Sequence, residues 1–236
     1  MFFITGDTHG DFTRLHKFCN IVQPSAEDVL IILGDAGLNY YGGSRDKKVK
    51  ARVTHKYPIT LFCIHGNHEM RPWETGLPYK EKEFCGGTVY YEELFPHILF
   101  AKDGEIYNFP TSDGIKSCLV IGGAYSVDKF YRLVKGYSWF ESEQPSDDIK
   151  KYVEDHIAKV GKKVDIVLSH TCPLKYEPTE VFLPMVDQSR VDKSTEMWLG
   201  EIEETLDYQK WYCGHFHTEK IIDKMEFMFN NIKEFK

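Results

Sequence analysis

Five short polar blocks carry the residue types from which a metal-assisted reaction is built. They are "GDTHG" with Asp7 and His9, "GDAG" with Asp35, "GNHE" with Asn67, His68 and Glu69, "SH" with His170, and "GHFH" with His215 and His217. Carboxylates, imidazoles and one amide oxygen, with no thiolate among them, suit borderline or hard divalent ions such as Mn²⁺, Fe²⁺ or Zn²⁺. With His68 and Glu69 set aside, the remaining groups are still too many for one ion. Two ions roughly 3.5 to 4 Å apart that share a carboxylate use them all, and such a pair clamps an in-line displacement at phosphorus. Each block alone could equally cap a loop, so their placement decides.

That placement is set by apolar runs. "MFFIT" at 1–5, "VLIIL" at 29–33, "ITLFCI" at 59–64 and "VDIVLS" at 164–169 each end at one of the blocks, as does the shorter "KWYC" at 210–213. "SCLVI" at 117–121 is a further run of the same kind. Near-continuous Val/Ile/Leu/Phe runs are expected of strands covered on both faces. In open α/β sheets ligands gather at the carboxyl ends of strands, so all five blocks can meet at one edge. Helices are expected between the strands: a basic one over Arg45–Lys56 stopping before Pro58, one capped by Ser146 with Ile149, Tyr152, Val153, His156, Ile157 and Val160 on one face, and one capped by Ser194 with Trp198, Ile202, Thr205 and Leu206 buried. Hairpins are expected around Asp103-Gly104 and over 221–229, and the segment from Met70 to Pro96, without a clear period, is expected to rim the site. The pattern is α/β, with a mixed sheet or two packed sheets.

The 236 residues, 42% hydrophobic and 28% charged, are ordinary for a soluble globular chain and read as a single domain over 1–236. The opening "MFFITGDTHG" has no basic stretch or cleavage site and reads as a strand, not a signal peptide. No run is long and apolar enough to span a membrane. Six scattered cysteines without a CxxC pair are expected to be reduced, in a cytoplasmic protein. A formal charge of −7 opposes extended contact with nucleic acid.

In their order, Asp7-x-His9, Gly34-Asp35, Gly66-Asn67-His68-Glu69, Ser169-His170 and Gly214-His215-x-His217 resemble the motif series of the calcineurin-like metallophosphoesterase superfamily. The resemblance implies an αββα sandwich of two packed mixed sheets flanked by helices, and a dinuclear metal-dependent phosphoric ester hydrolase. It implies that Asp7, His9 and His217 hold one ion, that Asn67, His170 and His215 hold the other, and that Asp35 bridges them. Mn²⁺ is the first choice of metal, with Fe or Zn as alternatives. A neutral Asn67 then leaves two divalent ions, two aspartates and a bridging hydroxide at a formal charge of about +1, suited to an anionic phosphoryl group. His68 is implied to be the acid at the leaving alkoxide, and the bridging hydroxide the nucleophile, with inversion at phosphorus.

Departures from the family's branches narrow the substrate. "GDAGLNYYGG" stands where the serine/threonine phosphatase branch has "GDxVDRG", which leaves His68 without its usual acidic partner. "IGGAYS" and "SHTCP" resemble the RNA lariat debranching branch, yet that branch typically has Cys where this chain has Asp7. The expected activity is a phosphomonoesterase for a small molecule, nucleotide or phosphoprotein; the alternatives are a phosphodiesterase acting on nucleotides or RNA, and a non-catalytic scaffold. Arg71 and Arg132 are candidates to grip a phosphate oxygen. Glu69 reads as a capping acid and the remaining histidines as core or surface residues.

Overall fold

The computed structural model describes residues 1–236. Two sheets face one another. In the first, β1 (Phe2–Thr5), β2 (Val29–Ile32), β3 (Thr60–Cys63) and β6 (Ile98–Ala101) run parallel, with Phe3 opposite Leu30 and Leu30 opposite Leu61. The antiparallel hairpin β4 (Lys80–Phe84) and β5 (Gly87–Tyr91) extends one side, and β13 (Lys233–Glu234) closes antiparallel on β1 at the other, giving seven strands. In the six-stranded second sheet, β8 (Gly114–Ile121), β9 (Ile166–Ser169), β10 (Lys210–Cys213) and β12 (Met225–Phe227) are parallel, flanked by antiparallel β7 (Ile106–Thr111) and β11 (Lys220–Ile222).

The apolar runs are continuous because both faces of each strand are covered. Successive side chains point to opposite sides, so Phe2 and Ile4 enter the layer between the sheets with Phe62, Phe109, Leu168 and Tyr212. Phe3 turns outward to Leu15 and Val53 of α1 (Thr13–Val22) and α2 (Gly43–Lys56). On the far side, Val167 and Trp211 meet Val153 and Ile157 of α4 (Asp147–Lys159) and Trp198, Leu199 and Ile202 of α5 (Ser194–Thr205). The result is the αββα sandwich, two mixed sheets between helices. No helix is long and apolar enough to cross a membrane. All six cysteines are unpaired.

Several local expectations are corrected. Asp103-Gly104 does turn the chain, but β6 before it belongs to the first sheet and β7 after it to the second, so the segment is a crossover and not a hairpin. β7 pairs instead with β8, turning between Thr111 and Gly114, and a further hairpin lies at 80–91, inside the stretch expected to form a rim, turning at Cys85 and Gly86, both with positive φ. The charged first strand of this second hairpin, "KEKEF", is an edge strand, where charge discourages pairing with other chains. Ser146 caps α4 as expected, its Oγ accepting from the Ile149 N–H. Ser194 does not cap α5; it is the first helical residue, its N–H donates to Asp192 Oδ1 at 2.9 Å, and Thr205 is exposed. A short helix, α3 (Lys129–Lys135), was not expected.

Candidate metal centre

The five polar blocks meet where the strands end. Asp7 and His9 follow β1, Asp35 follows β2, Asn67 and His68 follow β3, His170 follows β9, and His215 and His217 follow β10, so both sheets contribute. Asp7, Asp35, Asn67 and His170 are buried, whereas His9 and His217 are exposed. Close approach explains two of the motif glycines. A Cβ at Gly34 would stand 2.0 Å from the His170 ring, and one at Gly66 would stand 2.1 Å from Asp35 Oδ1. Four of the converging residues, His9, Asp35, His215 and His217, have φ between 47° and 66°. That left-handed region costs non-glycine residues about 1 kcal/mol or more each, a strain that clusters at working sites.

Two groups form. In one, His9 Nε2 and His217 Nε2 are 2.9 Å apart, with Asp7 Oδ2 at 3.2 Å from His217 and 3.9 Å from His9. In the other, Asn67 Oδ1 lies 2.8 Å from His170 Nε2 and 3.1 Å from His215 Nδ1. Asp35 Oδ2 sits between them, 3.9 Å from His9 Nε2 and 3.6 Å from His170 Nε2. Asp7, His9 and His217, and separately Asp7, Asp35 and His170, are close enough to share an ion.

The surrounding hydrogen bonds aim these atoms. Asn67 Nδ2 donates to Ser126 Oγ at 2.8 Å, which turns Oδ1 toward the imidazoles. His170 Nδ1 donates to the Leu33 carbonyl at 2.8 Å, so a neutral ring points the Nε2 lone pair at that same oxygen. An acceptor therefore faces an acceptor, an arrangement that a cation between them relieves. The main-chain N–H of His215 is shared between both oxygens of Asp7 (3.0 and 3.1 Å), and that of His68 donates to Asp35 Oδ1 (2.7 Å), leaving Asp35 Oδ2 for the centre. Burial pushes the His215 imidazole down to about 3, His170 adding to the effect, which keeps it a neutral donor of a lone pair. For Asp7, burial pushes upward, but the hydrogen bond from His217 and the neighbouring histidine charges overcome it and hold the carboxyl below its ordinary range.

A family model, Metallophos, the calcineurin-like phosphoesterases, matches residues 1–219. The chain belongs to this family. It is accordingly a metal-dependent phosphoesterase, and the Asp/His/Asn groups fit the divalent ions on which the family depends. No curated protein matches the sequence. Among solved structures, the crystal structure of TT1561 of Thermus thermophilus aligns with a TM-score of 0.53 at 13% identity, covering 97% of this chain and 87% of that one. It shares the fold.

In this phosphoesterase, the remaining candidates separate. Arg132 lies beside His68: its Nη2 is 3.5 Å from His68 Nε2, its Nε donates to Asp128 at 2.7 Å, and its Nη1 donates to Tyr40 Oη at 3.3 Å. Burial, and then the Arg132 cation, lowers His68 to about 3. Arg71 is elsewhere. Its Nη1 donates to Asp103 Oδ2 at 2.6 Å and its Nε to the Ser142 carbonyl, a buried ion pair that engages the guanidinium within the fold. Glu69 is also buried; it accepts from the Gly66 N–H at 3.1 Å, and burial followed by Asp35 raises its carboxyl to about 8.

A pocket of about 400 Å³ adjoins the centre, bounded at one end by Asp35, Asn67, His68 and His215. Its other walls come from the loops at 125–128 and 177–191, from Glu196 of α5 and from Phe216 and His217, and not from 70–96. Sequence reasoning missed Ser126, Asp128 and Tyr40. "IGGAYS" and "GLNYYGG" contained two of them, but nothing in their spacing tied them to Asn67 or Arg132.

Proposed function

We propose that this chain is a dinuclear metal-dependent phosphomonoesterase acting on a small molecule, nucleotide or phosphoprotein. The reading rests on one observation: two groups of lone-pair atoms face inward on either side of Asp35 Oδ2. Asp7, His9 and His217 would hold one ion, Asn67, His170 and His215 the other, and Asp35 would bridge. The mixed oxygen and nitrogen set favours Mn²⁺, with Fe or Zn as alternatives. Residues 1–236 act as one domain, a reading supported by β13 returning to pair with β1.

Divalent ions at these positions supply positive charge to an anionic ester and acidify water. The protein does the rest. Ser126 and Leu33 fix the directions of Asn67 and His170, while the His68 and His215 amides fix the two aspartates. Arg132, anchored by Asp128, would take a non-bridging phosphate oxygen with a planar, permanently charged fork. His68, next to it, donates to the leaving oxygen. A dianionic phosphate entering beside the pair offsets the repulsion that Arg132 exerts on a protonated His68. The experiment is Mn²⁺-dependent hydrolysis of p-nitrophenyl phosphate and bis-p-nitrophenyl phosphate side by side, with Asp35→Asn as control. Monoester turnover lost in the control is expected. Preference for the diester would overturn the monoesterase reading, and equal turnover by Asp35→Asn would overturn the metal centre.

A further inference from the structure

We infer that the pocket beside the metal centre binds the leaving group of the ester, and that it selects an aromatic ring bearing an N–H or O–H donor, accepted by Glu196. The inference rests on the phosphoesterase reading above and adds the substrate class.

Glu196 lies in the first turn of α5, only 4% exposed, and still lines the pocket. Its Oε1 accepts from the Thr171 hydroxyl at 2.8 Å, but its Oε2, also buried, has no partner. A buried carboxylate oxygen left without a donor is a cost to the fold that a bound donor recovers. Of the pocket's other carboxylates outside the metal centre, Glu177 is met by Lys193 Nζ at 2.6 Å and Asp128 by Arg132 Nε at 2.7 Å, although Asp128 Oδ1 also lacks a partner; Glu196 is the one with no cation paired to it.

Thr171 follows His170 directly, which ties this acceptor to the metal centre. Between them the walls are apolar. Phe182 and Phe216 stack with centroids 6.2 Å apart and planes 16° from parallel, joined by Val181 and Val191. Phe216 stands between His215 and His217, so one aromatic wall shares its backbone with the site. A volume of about 400 Å³ is within the range that encloses a ring-sized group. Polarity also sets the direction of binding. A carboxylate repels a phosphoryl oxygen, so the phosphate lies at the histidines and the organic group toward Glu196.

A nucleobase amine and a substituted phenol share this chemistry, and matched esters distinguish them. The values of kcat/KM with Mn²⁺ are compared for AMP against purine riboside monophosphate, which lacks the amine, and for para-hydroxymethylphenyl phosphate against its para-ethyl analogue. In parallel, NMR saturation transfer follows the free alcohols, adenosine and para-hydroxymethylphenol, on metal-free protein. In at least one pair the donor-bearing ester is expected to be preferred by about tenfold or more. Its alcohol is expected to bind, and Glu196→Met to collapse the ratio toward unity. Equal rates within both pairs overturn the inference, as does a preference that survives in Glu196→Met with a native circular dichroism spectrum. Should that variant not fold, Glu196→Gln replaces it, and the wild-type ratios decide on their own. p-Nitrophenyl phosphate separates the two readings. Alcohol binding that depends on Glu196, without any hydrolysis of this monoester, upholds the pocket and sinks the phosphomonoesterase proposal; hydrolysis without discrimination does the reverse.

Discussion

Oδ1 of Asp35 accepts the main-chain N–H of His68 at 2.7 Å while its Oδ2 faces His9 and His170. One side chain thus touches both groups of candidate ligands and the loop that carries the proposed acid. Its two duties come apart under mutation. Asparagine keeps an oxygen for the His68 amide but not the charge.

Asp35→Asn is therefore expected to melt like the wild type without metal, and to lose the stabilisation that metal confers. For the wild type, Mn²⁺ at a hundred times its dissociation constant adds about 2.7 kcal/mol, or about 5 to 10 °C. Asp35→Ala is expected to lose this and also about 1–3 kcal/mol of metal-free stability, because the His68 N–H is left without its acceptor. Calorimetry with Mn²⁺ and with chelator checks both.

His68→Asn is expected to lower kcat about 10²- to 10⁴-fold, the usual span for general acid–base catalysis. The Mn²⁺-induced rise in melting temperature should survive. Loss of that rise would make His68 a structural support of the ions rather than a proton donor.

The two arginines should separate stability from substrate binding. Arg71→Met leaves Asp103 as a buried, uncompensated charge and is expected to cost about 3–5 kcal/mol in urea unfolding, with KM unchanged. Arg132→Lys sits in a partly exposed pair and is expected to change stability by no more than about 1 kcal/mol. Its kcat/KM should fall, because an ammonium does not reproduce the planar fork.

Much of this site was legible because its signals are local. Asp7, Asp35, Asn67, His170 and His215 each stand directly beyond an apolar run, and a run that is buried on both faces announces its own end. Arg71 was misread for the opposite reason: its partner, Asp103, is 32 positions away, and only the crossover between sheets brings them together. Asp103-Gly104 gave a true turn signal, but whether the flanking strands pair with each other depends on which sheet each one joins. Ser194 was a reasonable cap by residue type, yet Asp192 already satisfies its amide. Glu196 carried no signal in the sequence, since its contact with Thr171 joins elements that no local pattern links.

Glu196 also carries a pH signature. Burial raises its carboxyl from 4.5 to about 7 in the fold. Below the lower value the group is protonated in both states and its contribution is complete. Between the two the folded chain holds more proton than the unfolded one, so stability falls as pH rises, by about 3 kcal/mol in all. Glu196→Gln lacks this dependence. Urea unfolding at about pH 5 and about pH 8 should show the variant gaining on the wild type by roughly that amount.

His9 and the three oxygen donors hang from the first sheet, and His170, His215 and His217 from the second. Whatever occupies the space between them is a rivet through the seam of the sandwich. Opening the seam and releasing the occupant then become a single event. Amides at the carboxyl ends of β1 and β10 should accordingly exchange with solvent together, more slowly with metal present, although they lie in different sheets.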